Sequence, residues 1–152
     1  MKLDYKQIKL IPAEKENDLH KKGVWYVFNE NVGYNFITTK PVLYEDHCKW
    51  WEIAFENEYI YIISYKSEIC GYIRLTKRRT TSKELNEISI ALSKSFQKTG
   101  IGSYAYQLFE EELKNLRINQ IVAVVNIKNK LGQIFFEKNN FNKTYIRYNK
   151  VL

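Results

Sequence analysis

The hydrophobic pattern of the chain changes period along its length. "IKLIP" (Ile8–Pro12) is a short apolar run closed by proline, which predicts a first strand. "KENDLHKKGVWYVFNEN" is weakly amphipathic and predicts a helix interrupted at Gly23. "FITTKPV" is expected to be extended, because the residue before a proline avoids the helical region. Leu43–Asn57 has helical spacing with acidic residues in its first turn. The period then shortens. Tyr59–Tyr65 and Cys70–Thr76 are β-branched and aromatic runs joined by the short connection "KSEI", and Glu84–Leu92 makes a third strand of this set. Helical spacing returns in "GIGSYAYQLFEEELKNL", with Ala105, Leu108, Phe109, Leu113 and Leu116 on one face. Gln120–Val125 reads as a fully buried strand, "KLGQIFFEKN" as a short helix and "FNKTYIRYNKVL" as a closing strand. This order, hairpin strands first and crossover helices later, predicts one mixed α/β domain over residues 1–152.

The junction between the third hairpin strand and the long helix, "QKTGIGSY", carries two of the chain's six glycines. A glycine turn between strand and helix suits three kinds of phosphate site. A Walker A loop requires Lys-Ser or Lys-Thr after its last glycine, and none is present. A dinucleotide fingerprint matches Gly100, Gly102 and Ala105, but it lies late in the chain, and the next strand ends at Asn126 rather than at a ribose-binding acid. The third kind, an acyl-CoA pyrophosphate loop of the form Q/R-x-x-G-x-G/A, fits Gln97, Lys98, Thr99, Gly100, Ile101 and Gly102 at every position. Glycines let successive backbone N–H groups converge on the diphosphate, and the helix that follows presents its positive end to it.

About 30 residues further on, "VVNIKNKLGQIFFEKNNF" supplies Val124, Asn126, Asn129, Gly132, Phe136, Glu137, Lys138 and Phe141. With the glycine loop, these residues resemble the paired signatures of the GNAT superfamily of acyl-CoA-dependent N-acyltransferases, and the resemblance runs from about Ile8 to Leu152. It implies a mostly antiparallel mixed sheet splayed between its fourth and fifth strands, with about four helices. It also implies acetyl-CoA as cosubstrate and no metal. The splayed strands would be Glu87–Leu92 and Ile121–Asn126. Ile90, Ala91 and Leu92 would meet the pantetheine arm, Lys98 to Ser103 would surround the diphosphate, and Asn126, Asn129 and Phe136 would complete the cofactor side.

Two positions depart from the pattern. Asn140 stands where the family has glycine, and asparagine tolerates a left-handed backbone. Phe136 stands where many members carry a tyrosine that protonates the departing thiolate, so a water or another tyrosine (Tyr104, Tyr145 or Tyr148) must serve. Amine attack on a thioester needs a base. Glu87 lies ten residues before Gln97, an offset at which several subfamilies carry a glutamate. Strand alternation puts Glu87, Ser89 and Ala91 on one face, with Ile88, Ile90 and Leu92 on the other.

Within the superfamily, "EDHCKWW", "YIISYKSEICGYIRLTK" and "EISIAL" resemble bacterial acetyltransferases of amino-sugar nucleotides of the pseudaminic acid pathway type. That likeness implies a nucleotide-linked amino sugar as acceptor, facing His47, Arg74, Thr76 and Lys77, with Trp50 or Trp51 available to stack. Phe28 departs from it, since such relatives often have an arginine there. Other acceptors of the same fold are a protein N-terminus, a lysine, a polyamine or an antibiotic. Phe136 would also suit a non-catalytic acyl-CoA-binding module.

Composition adds limits. The net charge of +7 is spread along the chain apart from "KRR" (Lys77–Arg79), and no zinc-finger, basic-zipper or RNA-binding signature accompanies it, so no nucleic-acid partner is expected. Cys48 and Cys70 lack metal-ligand spacing. No apolar run approaches the roughly 20 residues a membrane span needs, and the first residues have no signal-peptide core, so a cytoplasmic monomer or homodimer is expected.

Overall fold

A computed structural model describes residues 2–34, 40–80 and 83–152. Its centre is a five-stranded sheet in sequential order. The strands are β1 (Ile8–Pro12), β2 (Glu58–Tyr65), β3 (Glu68–Thr80), β4 (Lys83–Leu92) and β5 (Ile121–Val122). The first four are antiparallel, and β5 joins β4 in parallel. Four α-helices cover the sheet: α1 (Asp18–Glu30), α2 (Tyr44–Asn57), α3 (Ile101–Asn115) and α4 (Lys130–Lys138).

The β2–β3 hairpin is tighter than "KSEI" suggested. Tyr65 pairs with Glu68, leaving a two-residue turn in which Lys66 and Ser67 both have positive φ (49° and 66°). That geometry matches the twist of the flanking strands. α1 runs through Gly23 without a break, and its first turn is capped by the Asn17 side chain, which accepts from the Leu19 and His20 N–H groups. A glycine suits this position because the Ile69 side chain lies 2.9 Å from where a Cβ would stand. The expected extended segment "FITTKPV" falls largely on residues 35–39, outside the described residues.

Strand alternation divides the core in two. Ile63, Ile73, Leu75 and Ile88 pack against Ile101, Ala105 and Phe109 of α3. Ile60, Ile62 and Tyr72 face the other way, against Val24 and Val27 of α1 and Trp51 and Ala54 of α2. Ala91 packs with this second cluster, whereas Ile90 and Leu92 pack with the first, in keeping with the two faces read from the sequence.

Two expected strands are corrected. Gln120–Val125 is not a fully buried strand: only Ile121 and Val122 pair, and both are half-buried. β5 turns away from β4 after two residues, so nothing continues its ladder. "FNKTYIRYNKVL" forms no strand. Tyr145, Ile146 and Tyr148 are largely exposed, and strand propensity has no effect without a neighbouring ladder. No described helix is long and apolar enough to cross a membrane.

Candidate functional site

β4 and β5 hold together at Asn86–Ile121 and Glu87–Val122 and then part. A cleft of about 460 Å³ follows the parting. Ile88, Ser89 and Ile90 of β4 line one side, and Val124, Val125 and Asn126 after β5 line the other. Glu87, at the last paired position, forms part of its wall. Parallel strands that diverge leave unpaired backbone groups facing the gap, and such groups want an external partner.

One end of the site is made of backbone. β4 leads through Lys94–Phe96 into "QKTGIGSY" and the first turn of α3. Lys98 (φ 59°) and Gly100 (φ 93°) are both left-handed, which turns successive N–H groups toward one side. Gly100 is the α3 N-cap and supplies no side-chain cap; the Ile101 N–H makes a long bond of 3.4 Å to Thr99 Oγ1, and the positive end of the helix faces the turn. Gln97 braces the loop: its Nε2 donates to Asn31 Oδ1 and to the Leu92 carbonyl, both at 3.0 Å. Thr99 Oγ1 donates to the Phe96 carbonyl at 2.6 Å. Ile101 and Gly102 are buried beneath the loop, and Ser103 is half-buried at its edge.

Ala91 and Leu92 pack against the core rather than line the cleft, and the end of β4 that carries them depends on Gly71. A Cβ there would stand 2.4 Å from the Ala91 carbonyl oxygen and 2.6 Å from Leu92 Cδ2, so only glycine lets β3 approach the end of β4 this closely.

The downstream asparagines are structural as well as cleft-lining. Asn129 is the α4 N-cap, its Oδ1 accepting from the Gly132 N–H at 2.9 Å, and Asn126 Oδ1 accepts from the Lys128 N–H. Phe136 lines the cleft and meets Phe135 and Phe141 edge-on, at 5.2 and 4.9 Å between ring centres. Asn140 has φ 67°, the left-handed turn that usually calls for glycine.

The other end is made of side chains. His47, Arg74 and Thr76 line the same cleft as Glu87, together with Phe28, Tyr34, Trp50 and Tyr72. Lys77 falls on the opposite face of β3, with its Nζ 5.5 Å from the centre of the Tyr59 ring. Trp51 is fully buried in the core, so Trp50 is the tryptophan of the pair that reaches the cleft. His47 is 5 % exposed, and its Nε2–H donates to the Lys21 carbonyl at 2.8 Å. Burial lowers its pKa below 6.5; the bond to the Lys21 carbonyl opposes this and the Arg74 and Lys21 charges reinforce it, so the ring is mostly neutral at pH 7.

Sequence reasoning missed Glu58 and Tyr72. Glu58 falls between the predicted helix and the predicted strand, yet it accepts two hydrogen bonds from Arg74, at 2.8 and 2.6 Å, and one from Thr76 Oγ1 at 3.1 Å. Its period-2 partner positions on β3 were the available signal. The tyrosines named as substitutes for the hydroxyl missing at Phe136 lie elsewhere: Tyr104 packs at a tilt against Tyr5, 5.1 Å between ring centres, and Tyr145 and Tyr148 are 95 % and 90 % exposed. Nearness in sequence did not bring them to the cleft, whereas Tyr34 and Tyr72 line it. Burial raises the Tyr72 pKa, so its phenol stays protonated. Among the described residues no cluster of three or more metal-ligating side chains occurs.

The profile of the acetyltransferase (GNAT) family matches residues 24–141. No curated protein matches the chain at a significant level. Among solved structures, a Salmonella typhimurium protein determined with its cofactor acetyl-CoA superposes with a TM-score of 0.75, at 14% identity over 91% of this chain and 82% of that one. An N-acetyltransferase from Staphylococcus aureus Mu50 gives 0.71, at 24% identity over 88% and 82%. An aminoglycoside acetyltransferase from an uncultured soil metagenomic sample, in complex with sisomicin, gives 0.71, at 14% identity over 97% of each chain.

Proposed function

Because the chain belongs to the acetyltransferase (GNAT) family, we propose that it transfers an acetyl group from acetyl-CoA to the primary amine of a small acceptor. The observation that carries this reading is the parting of β4 from β5 directly after Glu87, with a cleft lined by both strands. The loop from Gln97 to Ser103 and the uncapped start of α3 suit the diphosphate of the donor, and the gap beside Ile90 suits its pantetheine arm.

The acceptor amine attacks the thioester carbon, its proton passes to Glu87 directly or through water, and the C–S bond breaks to release CoA as thiolate. A carboxylate on the cleft wall is a suitable base for an ammonium that must lose a proton before attack. Phe136 has no proton to give the thiolate. The Tyr34 and Tyr72 side chains line the cleft, and one of them or a water would supply the proton.

As acceptor we propose a nucleotide-linked amino sugar. The support is the likeness in "EDHCKWW" and "EISIAL" together with the placement of His47, Arg74 and Thr76 on one cleft beside the Trp50 ring. Thiol release from acetyl-CoA, measured with UDP- and dTDP-linked amino sugars beside spermidine, lysine peptides and aminoglycosides, tests it. Release that depends on one nucleotide sugar is the expected result. Turnover with another amine alone overturns the acceptor assignment, and failure to bind acetyl-CoA overturns the whole reading.

A further inference from the structure

Glu58 is the first residue of β2, and the register sets it opposite Thr76 on β3. Arg74 Nε donates to Glu58 Oε2 and Nη2 to Oε1, a two-point clamp, while Thr76 adds a third bond to Oε1. The two side chains are 19% and 8% exposed. The Arg74 guanidinium carbon lies 4.6 Å from the centre of the Trp50 ring, which itself lies 5.4 Å from the His47 ring. Planar guanidinium against indole is a favourable contact, and a clamped guanidinium fixes the ring it touches.

This arrangement changes what Arg74 offers a ligand. A guanidinium clamped on a carboxylate is a neutral pair, and Arg74 also lies within electrostatic reach of Glu87. His47 is mostly neutral at pH 7, and Lys77 is on the far face of the strand. A phosphate entering here would find Arg74 Nε and Nη2 already committed to Glu58. An ammonium would meet the rings of Phe28, Tyr34, Trp50 and Tyr72.

Building on the transferase reading, we propose that Glu58 and Arg74 are a positioning pair that holds the Trp50 indole as a wall of the acceptor pocket. The pocket then takes an ammonium-bearing ring by its uncharged face, and any phosphate of the acceptor stays outside the cleft.

The test compares aminohexoses with the amine at C2, C3, C4 or C6, each free and UDP-linked, in the native chain, Trp50→Ala, Arg74→Lys and the double variant Glu58→Met/Arg74→Met. Replacing both members of a buried pair by apolar residues of similar size is usually tolerated. Arg74→Lys keeps the charge and loses the two-point clamp. Trp50→Ala is expected to raise KM at least tenfold for free and linked sugars alike, with a smaller change in kcat. Any advantage of the UDP-linked form is expected to persist within about twofold in the double variant. A tenfold UDP advantage that vanishes there, and survives in Arg74→Lys, would make Arg74 a phosphate ligand and overturn the proposal.

If no aminohexose is acetylated although acetyl-CoA binds, the sugar reading falls, and iodide quenching of Trp50 fluorescence decides the positioning role. Trp50 emission is isolated by subtracting the Trp50→Phe signal. At least a twofold rise in quenching constant in Arg74→Lys supports the positioning pair, and an unchanged constant overturns it.

Discussion

The two ends of the cleft are built from different materials. The end formed by Gln97–Ser103 is backbone: two left-handed residues, an uncapped helix start and a glutamine brace. The other end is side chain: Arg74 clamped on Glu58 and lying over the Trp50 ring, beside a buried His47. Backbone N–H groups are the same in every sequence, so the first end can be reused for one unchanging ligand. Side chains differ from chain to chain, so the second end is where one member of the family departs from another.

The largest expected effect that separates them is chemical. Glu87→Gln keeps the shape of the wall and removes its base, so kcat should fall about 10²–10⁴-fold. Acetyl-CoA affinity, measured by calorimetry, should be unchanged. A kcat within threefold of native would remove Glu87 from the chemistry.

Glu58→Ala acts on stability instead. It leaves the Arg74 charge in a largely buried place with no carboxylate clamp, a loss of about 3–5 kcal/mol in urea unfolding. A loss below about 1 kcal/mol would mean that water replaces the carboxylate, and this end would then be wetter than the geometry indicates.

Gly71→Ala strikes the opposite end. Its Cβ meets the Ala91 carbonyl oxygen, so β3 or β4 must shift, at about 1–3 kcal/mol by thermal unfolding. The shift falls on the strand end beside the donor, so acetyl-CoA affinity should drop with it.

The smallest effect is a pH slope. The folded chain holds His47 neutral at pH values where the unfolded histidine, with its ordinary pKa of 6.5, binds a proton. That contribution to stability is complete above about pH 6.5 and is lost progressively as pH falls below it. His47→Gln can keep the bond to the Lys21 carbonyl and should flatten the decline in Tm between pH 7 and 5. An identical decline in both chains would place the titrating group elsewhere.

Legibility followed the same division. The turn at "QKTGIGSY" could be read because its backbone geometry depends on glycine and on local order, both of which are visible in a string of residues. Glu58 could not be read as part of a site, because its importance arises only when β2 and β3 pair and bring Arg74 and Thr76 against it. The reverse error occurred at Tyr104, Tyr145 and Tyr148, which are close to Phe136 in sequence but lie outside the cleft.

By itself the sequence determined the order of elements as far as α4, the two faces of β4, the glycine turn before α3 and the missing hydroxyl at Phe136. These are consequences of period, turn chemistry and residue identity, which act over a few neighbours. The tertiary structure decided where β5 leaves the sheet, that "FNKTYIRYNKVL" finds no ladder, that Lys77 faces away from Arg74's wall, and that Arg74 is clamped by Glu58. Each of these depends on a partner distant in the chain, and only folding brings that partner within reach of a hydrogen bond or an ion pair.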